Sequence, residues 1–298
     1  MSSQARGFKA RLEALGHTFF YGMLLVTGQV GAYLLLWPVI TTYVLCSRKI
    51  HRLTSPYLSR RFPNHGRLAR WRDTQRIMLS FGRVLVDRAW LGLRPGAVLQ
   101  GELEGQAELL ALAAEGRGVV VLIAHVGNWQ TAMAQITGMQ VPINSLMHYQ
   151  EEAVAKHYFD LRRKEMPFKI IKSDGFMGGM VEATAALQRG EVVTIMGDRY
   201  AGGPFTEVEF LGSKVRLPAA AYSLAAATGS PVAVLLAAKT GRRQYSMKLW
   251  EVFRPEPTDR ENRRRDMQKW AQRFAGSLEG YLREYPYQWY NFFDFWSQ

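Results

Sequence analysis

From Ala14 to Ser47 the chain carries no aspartate, glutamate, lysine or arginine, and it is dense in large side chains such as Phe19, Phe20, Leu24, Leu25, Leu34 and Trp37. An uncharged run of this length either enters a bilayer, where about 20 apolar residues suffice to cross, or is wrapped inside protein. Its aromatic ends and its length favour lipid. Arg6, Lys9 and Arg11 precede it and Arg48, Lys49 and Arg52 follow it, so the charge asymmetry that orients a single crossing is missing. A helix that dips in and returns, or lies in the interface, accounts for both basic flanks. Pro38 is expected to bend it near its carboxyl third, because proline removes a backbone donor. No small-x-small cleavage site is evident, and Tyr43, Val44 and Leu45 do not make a lipoprotein signal before Cys46. A retained anchor is therefore expected over residues 1–50 rather than a cleaved leader.

The remainder has to be a water-soluble body. Of 298 residues, 48% are hydrophobic and 21% charged, which excludes wholesale disorder, and a mean hydropathy of -0.15 is too polar for a polytopic transporter. Cys46 is the only cysteine. It permits no internal disulfide and no thiolate cluster, and a reducing, cytosol-facing home fits best. The net charge of +13 attracts polyanions, whether nucleic acid, anionic lipid or an acidic carrier protein. The apolar run and the lack of any helix-turn-helix, finger or RNA-binding signature argue against nucleic acid. Arginines 52, 60, 61, 67, 70, 72 and 76 follow the anchor and read either as contacts to anionic head groups or as a solvated helix face.

Residues 51–298 read as one domain. Segments 106–115, 128–136, 150–165, 176–189 and 217–228 have helical patterning. Between them, 118–124, 168–172, 191–196 and 231–237 are continuous apolar runs of strand length. Helices alternating with such runs define an α/β fold: a central, mostly buried mixed sheet flanked by helices.

The run at 118–124 ends on Ala-His-Val-Gly-Asn-Trp-Gln, residues 124–130. The carboxyl end of a buried strand is where open α/β sheets place ligands, and a histidine there can take a proton from an attacking hydroxyl. Asn128 and the backbone amides around Gly127 are candidate donors to an oxyanion, and helix capping, the other use for Asn128, is compatible with that role. No phosphate-binding loop, dinucleotide fingerprint, nucleophile elbow or paired metal spacing of histidines occurs.

His125-Val-Gly-Asn-Trp-Gln130 resembles the His-x-x-x-x-Asp/Glu motif of the lipid A late acyltransferase family, often His-Phe-Gly-Asn-Trp-Glu. The likeness continues through Arg162-Arg163, Gly190-Glu-Val-Val193, Met196-Gly-Asp-Arg199, Phe210-Leu-Gly212, Leu217-Pro218 and Ala227-Thr-Gly-Ser-Pro231. It spans nearly the whole chain in order. The resemblance implies a glycerolipid-acyltransferase-like fold and a general-base histidine, here His125. It also implies an acyl thioester donor on acyl carrier protein or coenzyme A, a lipid hydroxyl or amine acceptor, and no metal or bound cofactor. It further implies the cytoplasmic face of a bacterial inner membrane and an arginine near the active centre, for which Arg163 and Arg199 are the candidates.

The sequence departs from the family pattern at Gln130, which stands at the acidic position. An amide can accept from the ring N–H but carries no charge to offset an imidazolium. Three accounts stay open: an engineered amide that traps an inactive enzyme, a natural variant using a weaker dyad or another acid, and a silent relative that only binds lipid or carrier protein. If another acid serves, Asp198 is the candidate, since it follows the apolar run at 191–196. An ordinary salt bridge to a neighbouring arginine is its competing role.

The carboxyl end carries eight aromatics within residues 285–296, a density that calls for packing on the body beside an acyl tunnel, or for the lipid interface. Before it, Arg260, Arg263, Arg264, Arg265, Lys269 and Arg273 form a basic helix face suited to an acidic carrier protein or to solvent.

Overall fold

The computed structural model describes residues 3–94, 99–128, 139–147, 168–173, 176–200, 202–256, 259, 261–292 and 295–297, with side chains from Phe20 onward. Gln130, Arg163, Arg260 and the helical segments expected at 128–136 and 150–165 lie outside the described residues.

The centre is a seven-stranded sheet in the order β1-β9-β8-β2-β5-β3-β4. Its strands are β1 (Gln100–Glu104), β2 (Val119–Ile123), β3 (Ile143–Met147), β4 (Lys169–Lys172), β5 (Val192–Met196), β8 (Val232–Lys239) and β9 (Gln244–Phe253). From β8 through β2, β5 and β3 to β4 the strands run parallel. β9 returns antiparallel to β8 and carries β1 parallel to itself, so the sheet is mixed, as expected. β2 is buried at every position, because it lies between two strands and under layers on both faces. Val120, Leu122, Ala124 and Val126 enter one apolar cluster, and Val119, Val121 and Ile123 enter another on the opposite face. This period-two alternation explains why the strand reads as one unbroken apolar run.

Among the described residues the α-helices are α1 (Ser3–Cys46), α2 (Arg48–Arg61), α3 (Arg67–Leu93), α4 (Gln106–Ala114), α5 (Met180–Gln188), α6 (Ala220–Thr228) and α7 (Arg263–Glu284). A separate hairpin pairs β6 (Phe205–Phe210) with β7 (Ser213–Pro218). Leu217 and Pro218 therefore finish a strand rather than open the helix expected at 217–228. Within α1 the helical geometry fails at Gly28 (φ 70°, ψ -173°) and holds at Pro38. The expected bend at Pro38 is replaced by a break where only glycine is at ease with a positive φ.

The two faces of α1 differ. Leu24, Ala32 and the neighbouring Leu36 pack on Val86, Ala89 and Trp90 of α3. The other face leaves Val26 86%, Leu34 70% and Leu45 67% exposed, with Val30 and Trp37 between them. Beyond the break at Gly28, Val30, Leu34 and Trp37 recur at four- and three-residue spacing and form one apolar stripe, with Leu45 eight residues further along the helix.

Candidate active site

The site follows from strand register. β2 and β5 pair in parallel with Ile123 opposite Met196, and Gly197 N–H continues the ladder to the Ile123 carbonyl at 2.9 Å. Two residues further on, the same offset sets His125 beside Asp198. Gly197 leaves room at that step: a β-carbon there would come within 2.8 Å of the Leu122 and Phe274 side chains, which would have to move.

Asp198 is fully buried, and an isolated carboxylate in such a place is costly unless paired. Its Oδ1 lies 2.8 Å from His125 Nδ1, and its Oδ2 accepts from the His125 backbone N–H and from Trp289 Nε1–H, each at 2.8 Å. Burial alone would raise its pKa. The charge and hydrogen bond of His125, the Arg199 charge and the Trp289 indole together outweigh burial and hold it below the ordinary value. An ionised carboxylate only accepts, so the proton between the two groups belongs to Nδ1 and the neutral ring carries its lone pair on Nε2. The His125 side chain keeps 10% of its surface exposed.

The turn after His125 is built against β8 and the carboxyl-terminal segment. Gly127 has φ 58°, and a β-carbon on it would lie 2.3 Å from the Ala237 carbonyl oxygen. No other residue fits that approach. The Gly127 N–H donates to the Gln288 carbonyl at 2.9 Å, and the Tyr290 N–H donates to the His125 carbonyl at 2.8 Å. The Gly127 amide, expected to face an oxyanion, is thus engaged by protein in this conformation. Asn128 is buried at 1% exposure. Arg199 turns to the same terminal segment, donating to Asn291 Oδ1 at 2.8 Å and to the Tyr290 carbonyl at 3.2 Å.

The aromatic carboxyl end therefore packs on the body. Trp289 is 2% exposed, stacks edge-on against Tyr57, Phe210 and Phe295 and reaches Asp198. Sequence reasoning gave this segment a packing role but missed its hydrogen bond to the acid. The available signal was a tryptophan, whose indole N–H needs a partner when buried.

A histidine held by a buried carboxylate thus stands at the carboxyl edge of the parallel strands β2 and β5. Residues 58–298 match the model of the bacterial lipid A biosynthesis acyltransferase family, and the chain belongs to that family. It is an acyltransferase by that membership. No curated protein matches the chain. Among solved structures it is similar to the crystal structure of the 1-acyl-sn-glycerophosphate (LPA) acyltransferase PlsC from Thermotoga maritima. The identity is 14% and the TM-score 0.34, over 82% of this chain and 97% of that one.

Proposed function

We propose that the protein transfers a fatty acyl group from a thioester, on acyl carrier protein or coenzyme A, to a hydroxyl or amine of a lipid-like acceptor, with His125 as general base. The observation that carries this reading is the 2.8 Å contact of His125 Nδ1 with a buried, ionised Asp198. His125 Nε2 takes the proton of the acceptor as its oxygen or nitrogen attacks the thioester carbonyl. The tetrahedral intermediate collapses by breaking the C–S bond, and the departing thiolate recovers the proton from the imidazolium. Asp198 holds the ring in the required tautomer and offsets the positive charge. Asn128 is the proposed oxyanion donor, and Arg163 is the proposed contact for an acidic group on a substrate. Arg199 acts by fixing the terminal segment that covers Asp198.

The chain is organised as an anchoring helix, 1–50, and an acyltransferase body, 51–298. The exposed stripe of α1 lies in the lipid interface while its opposite face stays on the body, the arrangement of a helix lying on a membrane. Phe20–Cys46 is also long and apolar enough to cross a membrane, with 17% of its apolar window buried, but the packing on α3 favours the interfacial placement. The cytoplasmic leaflet suits the basic residues of α2 and α3. The exposed Arg263, Arg264, Arg265 and Lys269 of α7 suit an acidic carrier protein.

If Asp198 is the working acid, Gln130 is a natural variation that costs little. Thioester consumption measured for the protein as it stands and for Gln130→Glu should then agree within about 5-fold, because the base is already paired. A gain of about 100-fold or more would assign the acid's role to position 130 instead. Loss of thioester in neither protein, across a broad set of acceptors, would favour a binding relative.

A further inference from the structure

Behind the site lies a second buried charged cluster that the proposed chemistry does not use. Asp87 of α3 is fully buried. It receives Lys239 Nζ and the Tyr245 hydroxyl, each at 2.5 Å, on Oδ2. Gln29 Nε2 and the Tyr33 hydroxyl, both from α1, bond to Oδ1. Arg243 Nε closes the group by donating to Gln29 Oε1 at 3.0 Å, and Lys239 Nζ also donates to the Arg242 carbonyl at 2.7 Å. Three parts of the fold meet there: the apolar helix, α3 and the β8–β9 turn.

The cluster touches the His125 turn along two routes. Lys239 ends β8, and its backbone is clamped by Gln288, which accepts from the Lys239 N–H at 2.7 Å and donates to the Lys239 carbonyl at 2.8 Å. The carbonyl of that same Gln288 holds the Gly127 N–H, while Gly127 itself presses on Ala237 and Ala238 one step before Lys239. The second route is Tyr245, whose hydroxyl lies near the Asn128 side chain.

We propose that Asp87, Lys239 and Tyr245 are positioning residues that connect the seating of α1 to the placement of the His125–Asn128 turn, so that the apolar helix is a working part of the catalytic centre as well as an anchor. The argument is one of close packing. A buried ion pair tolerates little displacement, because losing one partner strands the other charge in a medium that cannot solvate it. The strand end that carries Lys239 has no slack against Gly127. A shift of α1 at Gln29 and Tyr33 is therefore passed to the turn, and displacements near 1 Å at reacting groups cost about 100-fold in rate.

This inference rests on the general-base reading of His125, and the test separates the two. Tyr33→Phe makes α1 more apolar, so membrane recovery should be unchanged. In the full-length protein, assayed well below its melting midpoint, kcat should fall about 3- to 10-fold at constant KM for the thioester. The ring-nitrogen resonance of His125 should move with it, which a loss of stability alone would not cause. Asp87→Asn should cost about 30-fold or more in kcat, and the double variant should be no slower than Asp87→Asn, since both substitutions cut one chain of contacts. Full kcat with an unmoved His125 resonance in Tyr33→Phe would overturn the proposal, as would losses that multiply in the double variant. If Asp87→Asn does not fold, Tyr33→Phe decides alone. An inert His125→Ala beside a fully active Tyr33→Phe defeats only the coupling, whereas an active His125→Ala defeats the general-base reading.

Discussion

Replacing His125 by alanine should lower thioester-dependent acyl transfer by about 10³-fold or more, while the protein still folds and is still recovered with membranes. General-base catalysis by a positioned side chain contributes typically about 10²–10⁴-fold. No other group in the described structure is both held by an ionised carboxylate and placed at the carboxyl edge of β2. Folding should survive because Asp198 keeps two donors, the backbone N–H of residue 125 and the Trp289 indole, and the turn is fixed through backbone bonds to Gln288 and Tyr290. In the proposed interfacial placement, membrane recovery depends on the exposed stripe of α1, which the substitution leaves intact. Acyl transfer at the native rate in His125→Ala would remove the ring from the mechanism.

Asp198→Asn should lower kcat by about 10³- to 10⁴-fold, the scale seen when the aspartate behind a catalytic histidine becomes an amide. The asparagine side chain is the same size, but its N–H₂ can face Nδ1 and push the imidazole proton to Nε2, where it blocks the lone pair that does the work. The substitution also leaves an imidazolium without a compensating charge in a buried place. A second readout follows from the depressed pKa of Asp198. Its folded-state value lies below its unfolded one, so the ionised form contributes stability that is complete above the ordinary carboxylate value of 3.8 and is lost as pH falls through the lower folded value. Acid unfolding of Asp198→Asn should lack that component. A kcat within a few-fold of native would show that Asp198 only fills space.

Much of this fold was legible because its central strands are buried on both faces. The runs at 118–124, 191–196 and 231–237 appear as β2, β5 and β8 with ends shifted by one or two residues, and the short run at 168–172 appears as the edge strand β4. β1, β6, β7 and β9 were not legible. They are edge or hairpin strands whose exposed positions, such as those of Glu102, Glu207 and Glu209, dilute the apolar signal. β3 was hidden differently, since Asn144 and Ser145 interrupt its apolar character while being fully paired inside the sheet with Glu191 and Thr194.

The site was half legible. His125 could be singled out from the strand it ends, and Asp198 from the strand before it. That the two meet depends on β2 pairing directly with β5 in a register that sets them side by side, and strand order is a property of the whole sheet that no local spacing carries. The same limit hid Trp289, which is far from both in sequence and reaches Asp198 by packing the terminal segment across the strand ends. The break in α1 was misplaced because proline is a stronger local breaker than glycine. Gly28 yields instead, with the Trp90 ring of α3 4.0 Å from where its β-carbon would be.

Nitrogen NMR of the ¹⁵N-histidine-labelled protein reads the central claim without relying on a substrate. With the His125 signal assigned by its loss in His125→Ala, the neutral ring should carry its proton on Nδ1, facing Asp198, and leave Nε2 unprotonated. A neutral ring protonated on Nε2 would contradict the account, because the nitrogen meant to accept the acceptor's proton would already hold one.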